Sequence, residues 1–474
     1  MVKEICCIGA GYVGGPTMAV IAFKCPEYKV TVVDINKERI KAWNGDIDKL
    51  PIYEPGLKEI VKKTRSNNLF FSNDIDKAID SSSIIFMAVN TPTKDYGEGK
   101  GMATDLTYVE ECSKRIAKMS KSNKIVVEKS TAPIGTAEKI KETLSLNNKN
   151  VKFEVISNPE FLAEGSAIND LINPDRVLVG GDQTPSGKEA ISQITSIYSN
   201  WIAQEKIITT NLWSSELSKL ASNAFLAQRV SSINSLSALC EESGANIQEV
   251  SKAVGADTRI GNKFLEASVG FGGSCFKKDI LNLVYLCKFY GLNEVSEYWH
   301  QVIKINDYQK NRFASRIVNE LNGTVNNKII TLLGWAFKKD TNDSRESASI
   351  DIANYLLTEG AIINVYDPMV SNELIHDDLV NKLKSNGLDN DQIESKISRV
   401  NIYDNIYKAA ENTFCLSILT EWDEFKDINW AKVSKLAENP LFVADGRNII
   451  EYEVRNSLID RYISIGNPKI IKSD

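Results

Sequence analysis

The sequence predicts an α/β chain built from two doubly wound parallel sheets, joined by a long central helix and a helical middle. Three observations carry this. Short β-branched apolar runs alternate with helical stretches as far as residue 212. The apolar period becomes helical from Leu212 to about Ser243-Gly244. Strand and helix alternation then resumes at Lys328. The expected divisions are 1–212, 213–323 and 324–474, in keeping with about three domains for 474 residues.

Lys3 to Ile8 reads as the first strand. Gly9-Ala10-Gly11-Tyr12-Val13-Gly14 follows and opens a helix through Ala22; Lys29 to Val33 is the next strand and ends at Asp34. A glycine triplet at this spacing is weak evidence alone. Behind a strand, ahead of a helix, and with an acid 20 positions beyond Gly14, it is the full dinucleotide fingerprint. The glycines make a tight turn, admit a pyrophosphate and let the helix pack, while the acid meets ribose hydroxyls. Asp34 favours NAD over NADP, because a 2′-phosphate would meet its charge; Arg39 stands where a guanidinium can stack on adenine. Further strands are expected at 84–89, 124–128, 153–156, 176–180 and 206–209. Three of them exit into Val89-Asn90-Thr91-Pro92-Thr93, Lys129-Ser130-Thr131-Ala132-Pro133 and Ser157-Asn158-Pro159-Glu160-Phe161. Such strand ends face the ligand crevice of an open parallel sheet, although Asn, Thr and Pro are also ordinary turn residues.

The helix beginning at Leu212 is long for a globular protein and suggests a domain spine or an oligomer seam. Lys219 and Asn223 on it are four apart and share a face. A second long helix is expected from Glu294 to about Leu321, with Tyr298, Val302, Ile305 and Tyr308 on the core side and His300 structural. Between the two lies Gly270-Phe271-Gly272-Gly273-Ser274-Cys275-Phe276-Lys277-Lys278-Asp279, with a helical run after it. A thiol at a helix start meets exposed N–H groups and the positive end of the dipole, which favour the nucleophilic thiolate. By position alone Cys275 reads rather as a packed small hydrophobe, and only the company of the other motifs reverses that.

In the last third, strands are expected at 328–333, 362–366, 414–419 and 441–444, with a helix from Glu346 to about Glu359. This region lacks a glycine triplet, which argues against a second whole dinucleotide. Its basic aromatic turn Phe337-Lys338-Lys339 and Arg447 suit an anionic nucleotide. Residues 371–401 read as a polar surface helix pair.

Composition narrows the class. The chain is 43% hydrophobic with a net charge of −6, and no Lys/Arg stripe invites nucleic acid. No apolar run is long enough for a bilayer, and the first residues enter a strand without a signal-peptide pattern. Eight scattered cysteines without a C-x-x-C pair indicate a reducing, cytoplasmic setting and no zinc. With only two histidines, His300 and His376, no metal site is expected, and a general base would be a carboxylate, a lysine or a positioned water.

Taken together, Gly9 to Pro16, Val89 to Thr93, Asn158-Pro159-Glu160-Phe161-Leu162-Ala163-Glu164-Gly165, Asn173-Pro174-Asp175-Arg176, Gly270 to Asp279, Ala336-Phe337-Lys338 and Asp445-Gly446-Arg447 are specific where none is singly. From about Lys3 to Asn467 the chain resembles the UDP-glucose 6-dehydrogenases of the UDP-glucose/GDP-mannose dehydrogenase family, the animal-type enzymes in particular. The resemblance implies two Rossmann-like domains joined by a long helix. It implies oxidation of the C6 alcohol of UDP-glucose to a carboxylate with two NAD⁺, through a cysteine thiohemiacetal and thioester. It assigns Cys275 as nucleophile and Asp279, with Lys219 and a water, to proton removal. Lys219 and Asn223 would donate to the C6 oxygen, and Thr131, Glu160 and Asp279 would hold the hydrolytic water.

For the cofactor the resemblance implies Gly9 to Gly14, Asp34, Arg39, Val89 to Thr93, Ser130, Thr131, Glu164, Cys275, Lys278 and Arg345. For the sugar nucleotide it implies Glu160, Phe161, Leu162, Ala163, Glu164, Lys219, Asn223, Phe264, Phe271, Gly272, Phe337, Lys338 and Arg447. Arg259 would reach a neighbouring subunit's site, making a homodimer the minimal unit; the resemblance leaves a dimer and a hexamer built as a trimer of dimers both open. One departure is Glu266, where the animal-type loop usually carries lysine.

Other readings are separable. A dehydrogenase for another nucleotide hexose would differ in the sugar loop and base-contact loop. A single-step hydroxyacid dehydrogenase needs no cysteine, and a non-catalytic sensor would not keep Cys275, Asp279, Lys219 and Thr131 together.

Overall fold

A computed structural model describes residues 3–467 and 470–471. The chain divides into two compact units, Met1–Ser222 with Leu281–Tyr290 and Asn223–Ile280 with Gly291–Asp474.

The first unit is built on eight strands: β1 (Lys3–Ile8), β2 (Tyr28–Val33), β3 (Leu69–Ser72), β4 (Ile84–Met87), β5 (Lys124–Glu128), β6 (Phe153–Ser157), β7 (Val177–Gly181) and β8 (Ile207–Thr210). Their order is β3-β2-β1-β4-β5-β6-β7-β8, parallel throughout except at β6–β7. Strand order reverses between β1 and β4, so the ligand crevice lies beyond the carboxyl ends of those strands. The strands read as continuous apolar runs because both faces are covered. Ile5 and Cys7 point into one core and Cys6 and Ile8 into the other. The helix Gly14–Lys24 is buried from Gly14 to Ala22, and a Cβ on Gly14 would lie 2.0 Å from the Gly9 carbonyl oxygen, a distance only glycine tolerates.

The second unit carries β9 (Ile329–Leu333), β10 (Ile362–Tyr366), β11 (Val400–Ile402), β12 (Cys415–Ile418), β13 (Phe442–Asp445), β14 (Arg461–Ser464) and β15 (Ile470–Ile471). The order β11-β10-β9-β12-β13-β14 repeats the first six positions of the other sheet, and β15 joins antiparallel. Strands β3, β11, β14 and β15 go beyond the sequence expectation. They are short, and β14 opens on a charged residue, so no apolar run marks them.

The long helices run Leu212–Ser243 and Asn293–Glu320, within a residue of their expected ends. One expectation fails on the second. Tyr298 and Tyr308 are about half exposed, at 54% and 51%, and not core. The buried stripe is Val302, Ile303, Asn306, Gln309, Lys310, Phe313, Ala314 and Ile317. Three of its members are polar and satisfied by partners elsewhere in the fold, so an apolar-only reading turns the helix to the wrong face. The helix expected from Glu346 begins at Ala348 instead: Glu346 has φ +54° and the Ser347 hydroxyl caps the helix by accepting the Ser349 N–H. The helix pair Asn372–Ser385 and Asn390–Ile397 stands where expected and buries Ile375, Leu379, Leu383 and Ile393. Among the described residues no helix is long and apolar enough to cross a membrane.

Candidate active site

In the first unit the glycine turn meets the acid at the end of β2. Asp34 is buried; it accepts the Ala10 N–H at 2.9 Å and the Asn36 N–H at 2.8 Å, and Arg39 stands 3.4 Å away. The Trp43 indole holds the Ala10 carbonyl at 2.9 Å. No atom lies within 4 Å of where a Cβ on Gly11 would sit, so this backbone is open to a ligand. Tyr12 donates its hydroxyl to the buried Glu54. The ends of β4 and β5 are tied into one rim: Ser130 donates to the Val89 carbonyl at 2.6 Å and Thr91 to the Thr131 carbonyl at 2.8 Å. Thr93 pairs with Thr104, and the Pro92 carbonyl accepts the Asp105 N–H at 2.8 Å; Asn90 is exposed on the same rim. A turn, an acid and open backbone at a strand switch are what an NAD pyrophosphate and ribose require.

The loop after β6 carries a buried charge cluster. Glu160 takes Lys219 Nζ at 3.2 Å and the Leu162 N–H at 2.7 Å. Burial pushes the Glu160 carboxyl up, but Lys219, the Leu162 N–H and Lys129 outweigh it and hold it below its ordinary value. Lys129 is buried and donates to Asn158 Oδ1 at 3.2 Å and to the Tyr198 hydroxyl at 3.5 Å. Burial pulls its ammonium down to about 8, against the opposing pull of Glu160. Phe161 is faced by the Arg176 guanidinium at 3.9 Å and by Lys219 Nζ at 5.5 Å. Ala163 donates its N–H to Asp170 at 3.0 Å, and Glu164 follows half-buried.

Glu216 accepts the Gly135 and Ala137 N–H groups, both at 2.7 Å, at the start of the helix Thr136–Asn147. Burial, and for Glu128 the neighbouring Glu216 carboxyl, raises both Glu128 and Glu216 above the ordinary carboxyl range.

In the second unit the turn 270–275 is pinned by groups far away in sequence. Asn306 accepts the Phe271 N–H at 2.9 Å and donates to its carbonyl at 3.0 Å; the Gly273 N–H meets the Arg345 carbonyl at 2.8 Å. A Cβ on Gly272 would lie 2.6 Å from the Glu346 carbonyl oxygen and 2.8 Å from Phe337 Cβ. The helix Phe276–Phe289 starts there, its first turn closed by the Asp279 N–H on the Cys275 carbonyl at 2.9 Å. Cys275 is exposed while the other seven cysteines are buried, and among the described residues none is in a disulfide. Ser274 Oγ is 3.5 Å from its sulfur. Asp279 and Asn223 are both buried, joined by an Asn223 Nδ2–Asp279 Oδ2 hydrogen bond of 2.6 Å, with Lys278 Nζ 3.8 Å from the other oxygen.

Phe337 flanks Gly273; its carbonyl takes Arg447 Nη2 at 2.9 Å, and Lys338 Nζ lies 5.7 Å from its ring. Arg447 also reaches the Leu419 carbonyl at 2.7 Å and Glu421 at 3.3 Å. Phe271 and Phe264 both meet Phe276, at 5.6 and 6.5 Å between ring centres. Two residues stand apart: Arg259 is solvent-facing, bound to Asp257, and Arg345 turns its side chain to Asp343. Glu266 is exposed. Sequence reading passed over Glu54, Glu216 and Asn306; it placed Lys129 in a strand exit without giving it a role.

Comparison with known proteins agrees with this layout. Three domains of the UDP-glucose/GDP-mannose dehydrogenase family match in order: the NAD binding domain over residues 3–202, the central domain over 213–308 and the UDP binding domain over 331–452. UDP-glucose 6-dehydrogenase 1 of Glycine max is 56% identical over 471 residues, covering 99% of this chain and 98% of that one. UDP-glucose 6-dehydrogenase of Mus musculus is 56% identical over 451 residues, covering 95% and 90%. The solved structure of a UDP-glucose dehydrogenase from Pyrobaculum islandicum superposes with a TM-score of 0.81 at 29% identity, covering 98% of both chains. The chain is therefore an NAD-dependent oxidoreductase belonging to the UDP-glucose/GDP-mannose dehydrogenase family.

Proposed function

We propose that this enzyme oxidises the C6 alcohol of UDP-glucose to the carboxylate of UDP-glucuronate, in two oxidations on one enzyme. The observation that carries the covalent route is the placement of Cys275: the exposed cysteine, at a helix start, one turn from the buried Asp279–Asn223 pair. The 56% identity to enzymes named for UDP-glucose supports the substrate.

The residues present fit NAD: open backbone at Gly11, and Asp34 oriented by two backbone N–H groups with lone pairs left for ribose. When bound, the nicotinamide supplies the hydride acceptor, used twice per sugar with exchange between. The chain's own groups supply the rest. Asp279, through a water and with Lys219, takes the C6 hydroxyl proton as the first hydride leaves. Lys219 and Asn223 donate to the C6 oxygen as it gains charge. Cys275 Sγ bonds to the aldehyde carbon as the C6 oxygen takes up a proton, giving a thiohemiacetal; loss of that proton with the second hydride leaves a thioester. A water oriented by Thr131, Glu160 and Asp279 adds to the thioester carbonyl. The C–S bond breaks, the thiolate returns and the carboxylate leaves. Glu160, held ionised by Lys219, accepts a hydrogen bond from that water.

Phe161 to Glu164, Phe264, Phe271, Gly272, Phe337, Lys338 and Arg447 are proposed to bind the sugar nucleotide; Val89 to Thr93, Ser130, Glu164, Lys278 and Arg345 are proposed to line the cofactor. The solvent-facing Arg259 supports a homodimer in which it serves the neighbouring copy. Eight cysteines without a disulfide among the described residues support a reducing cytoplasm. The test is stoichiometry with a panel of nucleotide sugars. Two NADH per UDP-glucose consumed, with UDP-glucuronate formed, is expected; one NADH or free aldehyde in solution sinks the scheme. Cys275→Ser should abolish steady turnover while NADH affinity holds within about twofold.

A further inference from the structure

Glu54 is a buried carboxylate with no part in the chemistry above, yet it collects three donors from two functional segments. The Tyr12 hydroxyl, from the glycine turn, binds Oε1. The Gly165 N–H binds the same oxygen at 2.7 Å, and the Ala167 N–H binds Oε2 at 3.0 Å. Those amides end the loop whose other end is held by Glu160, through the Leu162 N–H, and Glu160 in turn holds Lys219. Tyr12 is fixed as the donor: burial, then the hydrogen bond to Glu54, raises its hydroxyl well above an ordinary tyrosine.

Glu54 comes from the turn before the helix Leu57–Thr64, and its own carbonyl accepts the Leu57 N–H at 3.1 Å. That turn is packed in place, with Leu57 buried and Gly56 against Ile168. The carboxylate is thus a fixed post. Movement of the tyrosine changes what the post offers to the loop amides, because Tyr12 and Gly165 share one oxygen.

We propose that Glu54 is a positioning residue that couples the cofactor turn to the loop 160–167, so that NAD and the sugar nucleotide each tighten the other's binding. The proposal rests on the function given above. A cofactor that settles on residues 9–14 orders Tyr12, Tyr12 fixes Glu54, and Glu54 fixes the loop carrying Phe161 and Leu162. Linkage makes the effect reciprocal.

The experiment is a fluorescence titration of NADH with and without saturating UDP-glucose, a pair that cannot turn over. The ratio of the two dissociation constants is the coupling, and it cancels any loss of binary affinity. The unchanged protein should show a ratio of about 5 or more, the ordinary lower range for coupled sites. Tyr12→Phe keeps both loop amides on Glu54 and should bring the ratio close to 1. Glu54→Gln should do the same and also raise KM for UDP-glucose, since its NH₂ faces amide donors. A wild-type ratio in Tyr12→Phe overturns the coupling even if Glu54→Gln fails to fold. A ratio of 1 in the unchanged protein overturns it as well. Failure of the unchanged protein to bind UDP-glucose overturns the substrate reading, and the coupling with it.

Discussion

Lys129 should be a residue the fold would be more stable without. An unfolded lysine keeps its proton to about 10.5, whereas this one, buried beside Asn158 and Tyr198, loses it at about 8. Between those values the unfolded chain binds more protons, so stability rises with pH. The cost is full below about pH 8 and gone above about 10.5. At about 1.4 kcal/mol per pH unit it amounts to about 3 kcal/mol at pH 7. Lys129→Met removes the cost without orphaning the acceptor, because Asn158 Oδ1 still takes the Tyr198 hydroxyl at 2.6 Å. In thermal melts the variant should gain about 5 °C at pH 7. At pH 9.5 the remaining cost is about 1.4 kcal/mol, so the gap should shrink by more than half. Turnover should move the opposite way. Lys129 helps keep Glu160 ionised, so the acid limb of kcat should shift to higher pH in the variant. A variant that melts lower at pH 7, or whose advantage is the same at both pH values, would refute the reasoning.

Three further outcomes follow from the same geometry. Glu128, raised by burial and then by Glu216, holds its proton above the ordinary 4.5, so the native protein loses stability as pH climbs past that value; Glu128→Gln should remove the loss, and its melting advantage should widen from pH 5 to pH 8. Gly11→Ala meets no atom of the chain, so it should melt within about 0.5 kcal/mol of the parent yet weaken NADH about tenfold or more; Gly272→Ala drives its methyl into the Glu346 carbonyl and should cost about a hundredfold in kcat with NADH affinity kept, both read by fluorescence titration and steady-state rates.

The fold was legible where one local rule decides the outcome. The glycine turn with Asp34 marks a strand, a helix start and the next strand together, and each stands where the rule puts it. The helix Leu212–Ser243 could be bounded because its period runs unbroken between turn residues. Legibility failed where partners are distant in sequence. Glu54 meets amides 111 and 113 residues away, and Asn306 meets Phe271 across 35. A buried Asn or Glu looks in sequence like a surface residue, and only the donors that satisfy it reveal otherwise. The same blindness turned the helix Asn293–Glu320 to its wrong face, since Asn306, Gln309 and Lys310 lie in its buried stripe. Lys219 and Asn223 also read singly as surface groups; their spacing brought them together, but Glu160 and Asp279, which hold them, lie elsewhere in the chain.

The two sheets share an order, and one acid in each explains why only one has a dinucleotide signature. Asp34 ends β2, and Asp367 follows β10 at the corresponding position. Asp34 accepts two backbone N–H groups, from Ala10 and Asn36, with Arg39 at the long distance of 3.4 Å. A carboxylate has about four lone-pair sites, so room remains for ribose hydroxyls. Asp367 instead accepts five donors: the Trp335, Ala336, Met369 and Val370 N–H groups and the Trp422 indole. Its acceptors are spent on the chain itself. The turn after β9 is filled as well, by Trp335, which is fully buried. In the first unit the acid and turn stay partly unsatisfied, and that deficit is what a nucleotide fills. In the second unit the chain supplies its own ligand in the form of tryptophan side chains and backbone. The part of this unit proposed above to meet an anion is the edge carrying Phe337, Lys338 and Arg447. An edge of that kind suits a phosphate-bearing base-and-sugar unit, not a second cofactor laid across a glycine turn.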